Sequence, residues 1–358
     1  MKKNILVIGS SLLDKGGIVT VMKNIEESKL NKEYNFIHID TYITTSSIKK
    51  IFIYGKGILK ILKTLYKEKI DLAHIHMSYK GSFYRKSLII LMLKLLNKPI
   101  IVHMHGSCFK DFYKDMNKLN KRYCKYTFEN IDTLIVLSES WKEFFGDFVD
   151  TNKIVVINNS VPINISKKDL IKKKKIEFVF MGRLGERKGI YDLIEVIKDI
   201  KDTNKYENKC NFILAGDGDI EKVNNLIKKY ELDNYISNLG WIDGKIKENI
   251  FLEGDVFLLP SYNEGQPMAI LEAMSYFMPC ISTYVGGIPE VIKNDYNGYL
   301  NDPGDNSGLY RSIINFLENY DDRKRMSINA FKTVYENFNQ EKEFNKLNEI
   351  YHKFIEKL

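Results

Sequence analysis

Glu264 and Glu272 stand with seven residues between them in the stretch PSYNEGQPMAILEAM, residues 260–274. An ionised carboxylate only accepts hydrogen bonds, which suits it to sugar hydroxyls. Glu264 falls in a turn containing Gly265 and Pro267, and a helix is expected from Met268 onward, with Glu272 on it. The first amides of a helix have no intrahelical partner and are a ready site for phosphate. The spacing therefore fits a sugar nucleotide, with Glu272 taking the vicinal hydroxyls of a ribose, Glu264 a sugar at the other end, and the diphosphate on the helix start between them. Two solvated surface glutamates would have the same spacing, so the rest of the chain has to decide.

The stretch MGRLGERKG, residues 181–189, follows a strand-like run and precedes a helix-like one. Arg183 and Lys188 gain little from a nearby helix N-terminus, because the macrodipole there is positive. A phosphate held between them would account for both; ordinary surface charge is the competing reading. Gly16-Gly17, between a first strand and a helix, is a place where backbone approaches a diphosphate closely. After Gly9 no glycine appears until Gly16, so G-x-G-x-x-G is not matched and a nicotinamide cofactor is disfavoured. His74 and His76 share one strand face, and so do His103 and His105. No carboxylate or cysteine stands beside these pairs, so packed strand-end histidines are favoured over a metal centre. His105, followed by Gly106, is the one best placed to touch a substrate. YVGGIPEVI, residues 284–292, reads either as a tight connection or as a further pocket wall.

These residues need a scaffold, and the chain alternates accordingly. KNILVIGS, YNFIHID, DLAHIHMS, PIIVHMHGS, DTLIVLSE and KIVVINNS read as strands, with helical stretches such as GIVTVMKNIEESKL and RKSLIILMLKLLN between them. A second series follows, with IEFVFMGRL, NFILAGDG, YISNLGW, DVFLLPS and CISTYVGG as strands. In GIYDLIEVIKDI, Ile190, Leu193, Ile194 and Ile197 fall on one helical face. Strands alternating with helices imply βαβ units and parallel sheets. Between the two series, NNSVPINISKKDLIKKKK (158–175) changes texture and reads as a boundary. The final NQEKEFNKLNEIYHKFIEKL reads as an amphipathic helix. Ligands of open parallel sheets bind beyond the carboxyl ends of the strands, where most of these residues fall.

With 358 residues, 44% of them apolar and 28% charged, two α/β domains are the natural organisation. Cys108, Cys124, Cys210 and Cys280 are far apart and lack ligand spacing, so reduced thiols are expected. MKKNILVIGSS reads as a first strand, not a signal peptide, and no segment reads as transmembrane. The net charge of +8 leaves a phosphorylated substrate or an anionic membrane as partners. Nucleic acid is disfavoured, since no nucleic-acid-binding motif is present.

Gly16-Gly17, HMHG, GRLGERKG, the E-x7-E of Glu264 and Glu272, and GGIPEVI, in this order over nearly the whole chain, resemble family 4 of the retaining glycosyltransferases. NDYNGYLNDPGD is similar to that family's late turn. The resemblance implies the α/β GT-B fold: two Rossmann-like, doubly wound domains facing an interdomain cleft. It implies an acceptor-side domain over 1–163, a nucleotide-sugar-binding domain over 164–336, and a last helix, 337–358, packing back on the first domain. Carried over residue by residue, it implies Arg183 and Lys188 at the leaving diphosphate, with Gly182 beside them. Glu264, with Gly265, would contact the transferred sugar, and Glu272 the ribose. Gly16 and Gly17 would approach the phosphates and sugar from the first domain, with His105 near the reacting carbon. Gln266 and Pro267 stand where many members have an aromatic residue and a second glycine. Proline removes one amide, so the phosphate contacts should fall on Met268 and Ala269. No metal and no cofactor is implied, the nucleotide sugar being a co-substrate.

The implied activity moves a hexose or N-acetylhexosamine from a nucleotide-diphosphate sugar, UDP in the first instance, to a glycan. KKIFIYGKGILKILKTLYKEK carries seven lysines and one acid among its apolar residues, and FKDFYKDMNKLNKRYCKY is similarly basic. Such stretches favour anionic lipid surfaces; a solvated helix face is the plainer reading. The lipid reading suits a lipid-linked acceptor in capsule, exopolysaccharide or lipopolysaccharide assembly, at a cytoplasmic location peripheral to the inner face of the membrane. A sugar-nucleotide epimerase or a phosphorylase on the same fold, and a non-catalytic nucleotide-sugar-binding subunit, are the alternatives. The first two lack their own residue sets here, and the third would usually lose the glutamates or the basic pair.

Overall fold

The computed structural model describes residues 2–163 and 173–356. The boundary expected at residue 164, and the stretch from there to residue 172, lie outside the described residues. Two compact units form: Met1–Asn159 with Glu341–Leu358, and Ser160–Gln340.

The first unit holds strands β1 (Lys3–Gly9), β2 (Tyr34–Asp40), β3 (Leu72–Met77), β4 (Ile100–Met104), β5 (Thr133–Val136) and β6 (Ile154–Val156). They form one parallel sheet in the order β2-β1-β3-β4-β5-β6. β3 and β4 are buried along their whole length, as expected for a parallel sheet covered on both faces. Leu6, Ile8, Ile75, Val102 and Leu134 form the centre of the core, with Phe83 and Phe128 packed on them. The chain reverses its stepping direction between β1 and β3.

The second unit holds β7 (Ile176–Met181), β8 (Cys210–Ala215), β9 (Ile236–Gly240), β10 (Val256–Leu259), β11 (Cys280–Thr283) and β12 (Gly298–Asn301). Its order is β12-β11-β10-β7-β8-β9, again all parallel. Here the stepping reverses between β7 and β10. β12 was not legible as a strand: it has only four residues and is half-buried in alternation. The helix Ile190–Asp202 buries Ile190, Leu193, Ile194 and Ile197, the face its periodicity predicts.

The last helix, Gln340–Ile355, belongs to the first unit from Glu341 onward. It buries Phe344, Leu347, Ile350 and Tyr351. Glu343, buried in the same helix, accepts the Asn158 amide at 3.0 Å. Among the described residues, no helix is long and apolar enough to cross a membrane.

Candidate active site

In an open parallel sheet the crevice beyond the strand ends opens where the strand order reverses. In the second unit that point lies between β7 and β10, and the loops after these two strands meet there. Tyr262 donates its amide to the Arg187 carbonyl at 2.9 Å, and Arg187 Nη1 donates to the Asn263 carbonyl at 3.1 Å. Across this junction Lys188 Nζ donates to Glu264 Oε1, which also accepts from Ser261 Oγ at 2.9 Å. Glu264 is only 6% exposed. A buried carboxylate is tolerated where a cation and a hydrogen-bond donor meet it.

The backbone of the Glu264 turn is fixed from behind. Gly287 donates its amide to the Gly265 carbonyl at 2.6 Å. Gly286 has φ +54°, and a Cβ there would collide with the Glu264 carbonyl. GGIPEVI thus braces the turn. Thr283 Oγ1 and Ser282 Oγ, at the end of β11, donate to the Ser261 and Leu259 carbonyls at 2.5 and 2.6 Å.

The helix after the turn runs Met268–Ser275, with Pro267 at its N-cap and no side-chain cap. Among the described residues nothing accepts from the Met268 and Ala269 amides. Glu272 lies in this helix and takes Lys247 Nζ at 2.8 Å. Lys247 comes from the helix Gly244–Glu253. Both glutamates of the E-x7-E therefore sit in ion pairs. Arg183 is more exposed and stands 3.4 Å from Asp217, in the loop after β8. Gly182 donates its amide to Ala215 at 2.9 Å, which aligns the ends of β7 and β8.

In the first unit, Gly16 caps the exposed start of the helix Gly17–Glu26 with φ +124°. His105 follows β4 directly, its amide on the Met77 carbonyl at 2.8 Å and its Nε2 2.9 Å from His76 Nδ1. Four imidazoles stack along β3 and the end of β4. His74 and His76 have ring centroids 4.4 Å apart, and His103 and His105 4.2 Å. Burial pushes His74 down to about 3. Burial, then His74 and Lys86, push His105 down to about 3. His76 and His103 lie well below the ordinary imidazole value for the same leading reason. All four are neutral near pH 7. His74, His76 and His103 each bring one ring nitrogen within 4.8 Å of the others, the one such group among the described residues. The His74 and His103 planes are parallel within 4°.

The structure thus brings Lys188 and Glu264 into contact, separates Arg183 and Glu272 into pairs of their own, and holds Gly16, Gly17 and His105 in the other unit. Sequence reasoning missed Ser261, Asp217, Lys247 and Lys86. Ser261 and Asp217 sit at strand ends beside residues that were singled out. Nothing in the sequence links Lys247 to Glu272. Lys86, fully buried in the helix Gly81–Leu95, has its ammonium pushed down to about 7 by burial and by Arg85.

Residues 8–164 match the family described as Glycosyltransferase Family 4, and residues 163–333 match Glycosyl transferases group 1. The chain is 31% identical over 318 residues to the Escherichia coli UDP-Gal:alpha-D-GlcNAc-diphosphoundecaprenol alpha-1,3-galactosyltransferase, covering 83% of this chain and 79% of that protein. It is 25% identical over 362 residues to the Bacillus anthracis N-acetyl-alpha-D-glucosaminyl L-malate synthase, covering 96% and 91%. Among solved structures, sucrose-phosphate synthase from Thermosynechococcus elongatus superposes with a TM-score of 0.83 at 16% identity, over all of both chains. Anabaena HepE in complex with UDP-glucose superposes with a TM-score of 0.76 at 18% identity, over 97% and 98% of the two chains.

Proposed function

Since the chain belongs to glycosyltransferase family 4, with the GT-B fold, we propose the finer reading. It transfers a hexose or N-acetylhexosamine from a UDP-sugar to a lipid-linked glycan in the assembly of a surface polysaccharide, with retention at the anomeric carbon and without a metal. One observation carries this most: the Lys188–Glu264 pair straddles the strand reversal between β7 and β10, directly before the Met268 and Ala269 amides at the start of a helix that has no side-chain cap. A cation and two amides there offer a diphosphate what a metal would otherwise supply. Charge on that diphosphate grows as the glycosidic bond breaks, so these donors act mostly in the transition state.

Binding would then exchange partners. Lys188 turns from Glu264 to a phosphate oxygen, and the released carboxylate accepts from hydroxyls of the donor sugar. Glu272, shared with Lys247, takes the ribose. Arg183, exposed at the surface, would close on the phosphates. The lipid-linked acceptor and the UDP donor are supported by the name of the E. coli relative, which carries both.

The test is a thermal-shift screen with UDP-, GDP- and ADP-sugars, followed by transfer assays on polyprenyl-diphosphate-linked N-acetylhexosamine in EDTA. A donor at a hundred times its dissociation constant adds about 2.7 kcal/mol of stability. One UDP-sugar is expected to stand out and to give an α-linked product with EDTA present. Stabilisation by no nucleotide sugar overturns the reading. Loss of transfer in EDTA, restored by manganese, overturns its metal-free part.

A further inference from the structure

The helix Ser47–Lys67 carries two apolar stripes, and only one of them meets the protein. Gly57 and Ile61 are buried, and Tyr54, Ile58 and Leu65 pack on the core of the first unit. Ile48, Phe52, Leu59, Leu62 and Tyr66 lie on a different face and point to solvent. Phe52 is 74% exposed, Leu59 69% and Tyr66 91%. With Gly55 between Phe52 and Leu59, this stripe repeats every three or four residues along the whole helix, a length of about 30 Å.

Beside it runs a row of charge. Lys56, Lys60, Lys63 and Lys67 are exposed and follow the stripe one residue later, about 100° round the helix. The helix contains no aspartate or glutamate. A neighbouring helix, Gly81–Leu95, is tied to it by Tyr54 Oη donating to the Arg85 carbonyl at 2.9 Å, and it exposes Leu88 and Leu95 as well. Soluble surfaces rarely leave so large an apolar stripe uncovered without a partner.

We propose that this face docks on an anionic lipid bilayer, the apolar stripe entering the boundary between headgroups and acyl chains while the lysine row lies against lipid phosphates. Charge decides the occupant. A second copy of the chain would bring lysine against lysine, whereas an anionic surface meets both the stripe and the row. The helix would lie in the plane of the surface, its buried face still on the β-sheet. The proposal deepens the reading of a lipid-linked acceptor, which a surface-docked enzyme meets in two dimensions, but its test does not use catalysis.

Co-sedimentation of the full chain with 100-nm vesicles checks it, comparing equimolar phosphatidylglycerol and phosphatidylcholine with phosphatidylcholine alone. Partition should be roughly tenfold or more higher on the anionic vesicles and should fall as salt rises from 0.1 to 1 M. F52S/L59S and K56E/K60E/K63E should each lower it roughly tenfold or more. Their melting temperatures should match the parent, since every changed side chain is at the surface. Equal binding to both vesicle types, or parent-like binding by either variant, overturns the proposal. So does a concentration-dependent dimer in sedimentation velocity that F52S/L59S abolishes while vesicle binding is absent. UDP-sugar binding in the absence of vesicles should be the same in parent and variants. Its absence from all of them would sink the transferase reading and leave the docking result standing.

Discussion

Lys188 and Arg183 carry the same charge five residues apart in one loop, yet they face opposite physical problems. Lys188 is largely buried against Glu264, with side-chain exposures of 15% and 7%. Arg183 and Asp217 are 64% and 41% exposed. Removing one partner of a buried pair strands the other charge and typically costs about 3–5 kcal/mol, whereas an exposed pair is worth about 0–1 kcal/mol. Lys188→Ala should therefore lower the melting temperature of the ligand-free protein by several degrees, and Arg183→Ala should leave it nearly unchanged. Both should lower turnover by about 10²–10³, the usual cost of losing a donor to developing charge. Differential scanning calorimetry and steady-state kinetics on the two variants separate these effects. If Arg183→Ala keeps full turnover, Arg183 does not reach the diphosphate. If Lys188→Ala melts like the parent, the pair contributes nothing to the resting fold.

At the scale of elements, alternation and strand-end placement were legible because both are short-range patterns. The parallel strands announced themselves by runs such as LAHIHM and IIVHM, and the start of the helix at Met268 by Pro267. What stayed hidden were contacts between distant segments. Gly286 behind Glu264, Lys247 on Glu272 and Asp217 beside Arg183 are each 20 or more residues from their partners, where no periodicity applies. The same holds for the last helix. Its amphipathic face was readable, but the hydrogen bond from Tyr351 Oη to His74 Nδ1 at 2.7 Å joins residues 277 apart. Tyr351 is completely buried and meets Tyr34 edge-on, with centroids 5.2 Å apart. Tyr351→Phe keeps the packing and leaves a buried imidazole nitrogen unpaired, for a loss of about 1–3 kcal/mol. Tyr351→Ala opens a cavity as well and should cost about 3–5 kcal/mol. Urea titrations should rank the three proteins in that order; a Phe variant as unstable as the Ala variant would mean that the hydrogen bond, not the ring, holds the helix.

Over the whole molecule, titratable groups are divided unevenly. His38, His74, His76, His103, His105 and His352 are all the histidines of the chain, and every one belongs to the unit Met1–Asn159 with Glu341–Leu358. The four stacked imidazoles have folded values below the ordinary one of about 6.5. They are neutral in both states at pH 7. Below about pH 6.5 the unfolded chain takes protons that the folded one refuses, and stability falls by up to about 1.4 kcal/mol per pH unit for each independent group. His38 runs the other way. Burial lowers it, but Glu26, the Ser10 carbonyl and Asp40 outweigh burial and raise it. Its contribution is complete below about pH 6.5 and is lost as pH rises through its folded value, so it offsets one of the four at most. Lys86, held down to about 7, adds stability that is complete above about pH 10.5 and mostly gone by pH 7. Between pH 7 and 5 most carboxylates stay ionised, so the second unit, which has no histidine, has little to respond with. Hydrogen exchange, corrected for intrinsic rates, should show protection in β3 and β4 dropping roughly tenfold or more from pH 7 to pH 5, while β7 and β10 hold theirs. Uniform loss across both sheets, or earlier loss in the second, would show that the buried histidine stack does not govern the acid response.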